Sequence, residues 1–253
     1  MQRYFIPADR FDGSTVEIQG DDAHHIARVM RARTGDKIIV SDGMEREAIV
    51  EIRQIDAGRV TASIVEPLAL TGEPRHRVWV FQGLPKGDKM ETVIQKGTEI
   101  GASRFLPFLS ERTVVKYDVK KEEKRIERWR KIAKEAAEQA HRNRIPSIDP
   151  PVSWRQMLAE VAQADAAFLL YEKERGASFK NALQRALSDL DAARPLTLAV
   201  IVGPEGGFSE AEVGQAEAAG CVPAGLGKRI LRTETAALVA LACILYETNE
   251  MGG

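Results

Sequence analysis

With 253 residues, 44% hydrophobic and 29% charged, the chain has enough core material for one large or two modest domains, and its composition excludes a disordered or low-complexity protein. Only Cys221 and Cys243 are present, with no CxxC pair and four histidines, which argues against a disulfide scaffold and a metal site, while the longest apolar run, residues 236–246, falls short of the ~20 residues that span a bilayer. The net charge of −1 conceals an asymmetry: residues 72–147 hold 18 Lys/Arg against 11 Asp/Glu, a basic stripe that hints at nucleic acid but fits a solvated helix face equally well.

The first 70 residues carry short alternating runs at 3–6, 15–18, 37–41, 47–52 and 60–65, separated by Asp12-Gly13, Asp42-Gly43 and Ala57-Gly58 turns. That spacing predicts a small β-barrel. One helix interrupts it, with Asp21 or Asp22 as N-cap, a body over 23–33 and Gly35 beyond its end. Its paired His24 and His25 read as rim or cap residues, because no carboxylate or cysteine stands at a ligand spacing. Residues 66–74, with two prolines and a glycine, read as a linker.

Beyond the linker the period changes. A strand at 77–84 leads into a helix at 88–100, with Met90, Val93, Ile94 and Gly97 on one stripe and Gly101 as stop. A strand at 104–108 precedes a charged helix at 121–140 whose Ile126, Trp129, Ala133, Ala136, Ala137 and Ala140 form one apolar face. The donor cluster His141-Arg142-Asn143-Arg144 closes it. Helices at 154–163 and 179–190 alternate with strands at 166–171, 198–202 and 222–226, the signature of a largely parallel sheet covered on both faces.

Two turns follow the last two strands: Gly203-Pro204-Glu205-Gly206-Gly207-Phe208, then Leu226-Gly227-Lys228-Arg229-Ile230-Leu231-Arg232-Thr233-Glu234-Thr235-Ala236. Their glycines permit positive φ and close approach of a ligand to main chain at the strand ends of an α/β sheet, where ligands bind. Ser209 and Glu212 read as a capping box, and Thr233 as the N-cap of the last helix. Lys228 is followed by Arg229 rather than Ser or Thr, so this is no P-loop, and Ile230 replaces the last glycine of a dinucleotide fingerprint.

Taken together, His24-His25-Ile26-Ala27-Arg28-Val29-Met30-Arg31, Lys86-Gly87-Asp88-Lys89-Met90-Glu91, Gln95-Lys96-Gly97-Thr98-Glu99-Ile100-Gly101, Ser110-Glu111-Arg112, Glu135-Ala136-Ala137-Glu138-Gln139, Arg142-Asn143-Arg144-Ile145-Pro146 and the two glycine turns resemble the ribosomal RNA small-subunit uridine-N3 methyltransferases, the RsmE family of the SPOUT class, over essentially the whole chain. The resemblance implies an α/β fold in which a small PUA-like β-barrel, residues 1–71, precedes a SPOUT-type methyltransferase domain, residues 72–253, with a C-terminal trefoil knot. Threaded chains are too rare for sequence rules to anticipate. It further implies a cytoplasmic homodimer acting on 16S rRNA or the small ribosomal subunit, with S-adenosyl-L-methionine as cofactor and neither metal nor membrane involved.

Carried over residue by residue, the cofactor site comprises Leu170 and Tyr171; Gly203, Pro204, Glu205 and Gly206; and Leu226, Gly227, Ile230, Leu231, Thr235 and Ala236. Arg232 is expected to stabilise the negative charge left when the uracil N3 proton departs, and Glu234, or a water it holds, to receive that proton. Arg28, Arg31, Lys86, Lys89, Arg112, Arg142 and Arg144 are expected phosphate contacts. Residue spacing alone leaves open a ribose 2′-hydroxyl or tRNA target, and a non-catalytic RNA-binding protein.

Overall fold

The computed structural model describes residues 1–114, 119–172, 177–191 and 194–252. The chain divides into two units, the first made of Met1–Glu73 with Ala137–Ile145, the second of Pro74–Ala136 with Pro146–Gly253. The short segment 137–145 thus belongs with the N-terminal residues, a division that the expected boundary after residue 71 does not contain.

In the first unit, alternating apolar residues build a six-stranded sheet. Its strands are β1 (Arg3–Phe5), β2 (Phe11–Asp12), β3 (Thr15–Gln19), β4 (Lys37–Ser41), β5 (Glu47–Asp56) and β6 (Arg59–Pro67), ordered β1-β4-β5-β6-β3-β2. All pairs are antiparallel except β1 with β4. Val16 and Ile18, Val50 and Ile52, and Val60 and Ala62 point to the same buried core, as a period of two requires. The helix differs from the expected one. It starts at Gly20 without a side-chain cap as α1 (Gly20–His24), then widens into a π turn (His25–Val29) closed by Met30 N–H donating to His25 O at 2.9 Å. Tertiary anchoring outweighs the local capping preference here: Ile26 is fully buried, and His25 Nδ1 lies 2.8 Å from the Tyr4 hydroxyl.

The segment 137–145 is held in this unit by buried polar bonds. Arg3 forms a two-pronged ion pair with Glu47 (2.7 and 2.9 Å) and donates to the Arg142 carbonyl at 2.5 Å; Phe5 N–H donates to Glu138 at 2.9 Å. Asn143 donates to Glu47 and accepts from Gly72 N–H at 2.5 Å.

The second unit is an all-parallel sheet. Its strands β7 (Arg77–Gly83), β8 (Arg104–Leu109), β9 (Ser147–Ile148), β10 (Val152–Ser153), β11 (Ala166–Leu170), β12 (Thr197–Val202) and β13 (Val222–Ala224) run in the order β10-β8-β7-β12-β11-β13, with β9 also on β8. Helices α2 (Lys89–Ile100), α3 (Val119–Gln139), α5 (Phe179–Asp189) and α7 (Thr233–Glu247) contribute to one core with Val78, Val80, Leu198 and Val200. On the opposite face Phe81, Leu106, Phe108 and Ile201 meet residues of α4 (Trp154–Val161) and α6 (Glu210–Ala218). Successive strand residues therefore serve opposite cores, and both sheet faces are covered. The expected capping box forms: Ser209 Oγ accepts from Glu212 N–H, and Glu212 accepts from Ser209 N–H. No helix among the described residues is long and apolar enough to cross a membrane.

Candidate active site

At the C-terminal ends of β11, β12 and β13, three loops enclose a cavity of about 370 Å³. β11 delivers Leu170 and Tyr171, β12 the turn from Gly203, and β13 the turn from Gly225 to Arg232, with Ala236 from the first turns of α7.

Close packing explains the glycines. A Cβ on Gly83 would lie 2.5 Å from Pro204 Cδ and 2.6 Å from Pro204 N, so β7 can approach the turn only with glycine there. A Cβ on Gly206 would meet Arg112 Cβ at 2.9 Å, and Arg112 Nη1 donates to the Gly206 carbonyl at 3.0 Å. Gly207, at φ +64°, closes the turn by donating its N–H to Pro204 O at 2.9 Å.

The two turns are tied to each other. Thr233 Oγ1 donates to the Gly203 carbonyl at 2.6 Å and accepts from Gln82 Nε2 at 2.8 Å, while Gln82 Nε2 also donates to Gly83 O at 3.0 Å. Thr233 is therefore no N-cap. Arg232 occupies that position without a side-chain cap bond, and the threonine hydroxyl instead joins α7 to the β12 turn. The expected cap loses to a buried carbonyl that needs a donor.

Charge concentrates on one wall. Lys89 Nζ donates to Glu205 Oε1 at 2.7 Å and stands 3.8 Å from Glu234 Oε2; Glu205 Oε1 also accepts from Lys86 N–H at 3.1 Å. Burial pushes the Glu205 carboxyl upward, but hydrogen bonds from Lys89 and from backbone amides outweigh it and hold the group below its usual range. Glu234 Oε2 is buried without a hydrogen-bond partner. Arg232 is exposed at the cavity and has no ion-pair partner among the described residues.

Of the residues expected around a cofactor, Leu170, Tyr171, Gly203, Pro204, Glu205, Leu226, Gly227, Ile230, Leu231 and Ala236 line the cavity, as does Arg232. Gly206, Glu234 and Thr235 are not among its lining residues. Val202, Phe208, Lys228 and Arg229 line it without having been singled out, and Gln82 and Thr233 escaped as the link between its loops. Gln82 had a signal: it is the lone polar side chain at the end of the apolar run Val78-Trp79-Val80-Phe81.

The expected phosphate contacts separate by environment. Arg28, Arg31 and Arg144 are exposed in the first unit, and Lys86 in the second. Lys89 instead pairs with Glu205, a lining residue of the cavity, and stands near Glu234. Arg142 is a correction: it is only 3% exposed, its guanidinium binding Glu73 at 2.6 and 3.2 Å, so it is withdrawn from any phosphate. Glu73 also accepts from the Asn143 and Arg144 amides, both at 3.0 Å, which makes Arg142 part of a structural lock.

Residues 72–245 match the RNA methyltransferase domain, and residues 18–65 the RNA methyltransferase PUA domain. The Ribosomal RNA small subunit methyltransferase E of Bacillus subtilis (strain 168) is 41% identical over 256 residues, spanning 100% of this chain and 99% of that protein. The chain belongs to the small-subunit ribosomal RNA methyltransferase E family. Two solved methyltransferase structures share the fold at 30% identity and a TM-score of 0.85. One is the family member from Neisseria gonorrhoeae bound to S-adenosyl methionine, covering 98% of each chain. The other is a Legionella pneumophila methyltransferase in complex with S-adenosylmethionine, covering 97% of each.

Proposed function

We propose that this chain is an S-adenosylmethionine-dependent methyltransferase that methylates N3 of a specific uridine in 16S rRNA of the small ribosomal subunit. The observation that carries the reading is the cavity at the ends of β11, β12 and β13, in a chain whose relatives of the same fold bind S-adenosylmethionine. The residues suit that cofactor. The volume of about 370 Å³ falls in the range of small-molecule sites, much of the wall is loop backbone and apolar side chain, and a Cβ on Gly203 would come within 3.2 Å of Gly207, so the cradle is drawn tight.

When bound, the cofactor supplies an electrophilic sulfonium methyl group. The protein must hold uracil N3 in line with it and favour loss of the N3 proton. Breaking the N3–H bond leaves negative charge over N3, O2 and O4, and the Arg232 guanidinium meets that charge. Glu234, next but one to Arg232 and outside the cavity lining, receives the proton through a water. Lys89, placed between Glu205 and Glu234, orients both carboxylates. Arg28, Arg31, Lys86, Arg112 and Arg144 hold phosphates of the RNA.

The chain works in the cytoplasm as a homodimer, with the β12 to α7 region threaded as a trefoil knot. Support for the dimer comes from α7. Ala237, Ala240, Leu241, Ile244 and Leu245 face the core, while Val239, Ala242, Cys243 and Tyr246 form a second apolar stripe on which Tyr246 is 67% exposed. Incubation of unmodified small ribosomal subunits with the protein and S-adenosylmethionine, followed by mass-spectrometric mapping of the RNA, tests the reading. One new methyl on N3 of one uridine is expected. Methylation of a ribose, or none on this RNA alongside cofactor binding, refutes it.

A further inference from the structure

A second cavity, of about 410 Å³, opens in the same unit between the start of α2 and residues 124–129 of α3. Its floor is apolar, formed by Leu84, Met90 and Trp129, each 3% exposed or less. Its rim is basic, carrying Lys124, Arg125 and Arg128 at the i, i+1, i+4 spacing that places them along one side of a helix. Arg125 lies over the Trp129 ring at 6.0 Å from its centroid, Arg128 pairs with Glu91 at 2.7 Å, and Lys124 has no carboxylate partner among the described residues.

The start of α2 borders both cavities. Lys89 lines the first, and its neighbours Asp88 and Met90 line the second. The two cavities thus share the start of α2 as a common border, within reach of neighbouring nucleotides of one strand. An apolar floor under a cationic rim is the chemistry that receives a nucleotide, base inward and phosphate outward. The Arg128–Glu91 pair does not close the site, because an ion pair whose arginine side chain is 65% exposed is readily exchanged for a phosphate.

We propose that this cavity is a second nucleotide subsite, holding the residue adjacent to the methylated one in the substrate strand, with its phosphate held by Lys124, Arg125 and Arg128. The inference rests on the RNA-methyltransferase reading above and extends it to three basic residues of α3 that are not among the expected phosphate contacts.

The test uses the full-length protein as a Lys124→Gln/Arg125→Gln double variant, which leaves the Arg128–Glu91 pair intact, and as Glu91→Gln, which releases Arg128. RNA affinity is measured by fluorescence anisotropy across salt concentrations, alongside methyl-transfer kinetics and calorimetry with S-adenosylmethionine. The double variant is expected to raise the KM for RNA about tenfold and to lower the slope of log affinity against log salt by roughly one, with kcat and cofactor affinity within about twofold of the parent. Glu91→Gln is expected to move the other way, binding RNA more tightly. Unchanged RNA affinity and salt slope in a double variant that still binds cofactor overturn the subsite. Uridine 5′-monophosphate binding as tightly as the oligonucleotide also overturns it, since the cavity would then serve a free nucleotide. A parent protein that methylates no small-subunit RNA defeats the underlying reading instead, a result distinguishable from either.

Discussion

Replacing Thr233 by valine preserves the shape of the side chain and removes only its hydroxyl, so it isolates the link between the β12 turn and α7. Two buried hydrogen bonds disappear, the 2.6 Å donation to Gly203 O and the 2.8 Å acceptance from Gln82 Nε2. Gln82 Nε2 keeps its 3.0 Å bond to Gly83 O, so the larger loss falls on the Gly203 carbonyl. A buried polar group stripped of its partner costs about 1–3 kcal/mol, and the helix propensities of valine and threonine are nearly equal. The sum, about 2–4 kcal/mol, is a large share of the 5–15 kcal/mol that stabilises a typical domain. Because the same bond holds two walls of the cavity together, S-adenosylmethionine affinity should fall about tenfold, equivalent to ~1.4 kcal/mol. Urea unfolding with and without cofactor, together with calorimetry, measures both effects, and Thr233→Ser should restore them. A valine variant with the parent's midpoint and affinity would show that this hydroxyl does not organise the site.

Three further outcomes follow from the same geometry. Arg232→Ala should lower kcat by about a hundredfold or more while leaving cofactor affinity within about twofold, and equal losses in both, read from single-turnover rates and calorimetry, would count against a role on the developing charge. Arg142→Ala should destabilise the protein by about 1–3 kcal/mol, since the Glu73 carboxylate it leaves is partly exposed and keeps two amide donors, whereas Arg144→Ala should leave the unfolding midpoint unchanged and weaken RNA binding; reversal of that pattern would restore Arg142 as a phosphate contact. His76 is 6% exposed and accepts from Leu196 N–H at 3.1 Å through Nδ1; burial pushes its pKa below 6.5, with Arg75 assisting and Glu250 opposing. The unfolded chain then takes up the proton first, so this contribution to stability is complete above pH 6.5 and declines as the pH falls toward the lower folded value. His76→Asn, which retains an acceptor in place of Nδ1, should flatten that decline in urea midpoints measured from about pH 8 to about pH 5.

The architecture was legible because its signals are local. Alternation in the first 70 residues and the switch to strand and helix segments after residue 74 specify the two kinds of fold, and Ser209 with Glu212 forms the capping box that its spacing announces. The apolar run 236–246, too short to span a bilayer, forms α7, with Ala237, Ala240, Leu241, Ile244 and Leu245 facing the core. Strand order was not legible, because β7 pairs with β12, distant in sequence, and no period encodes a partner. Arg142 failed for the same reason. A guanidinium among other donors reads as a surface cluster until Glu73, 69 positions earlier, is known to cover it. Thr233 misled because a threonine before a helical run satisfies the rule for a cap, while the Gly203 carbonyl that claims its hydroxyl lies 30 positions away. The main-chain walls of the cavity carry no side-chain signature of their own, and only the glycines betrayed them.

The return of residues 137–145 to the N-terminal unit has an evolutionary consequence. A polypeptide cut after Glu73 would leave the Phe5 amide without Glu138, Arg3 without the Arg142 carbonyl, and Glu47 without Asn143. A single crossover in the gene after Glu73 would therefore move the module without those partners, and a transfer that keeps them must also carry the nine residues 137–145.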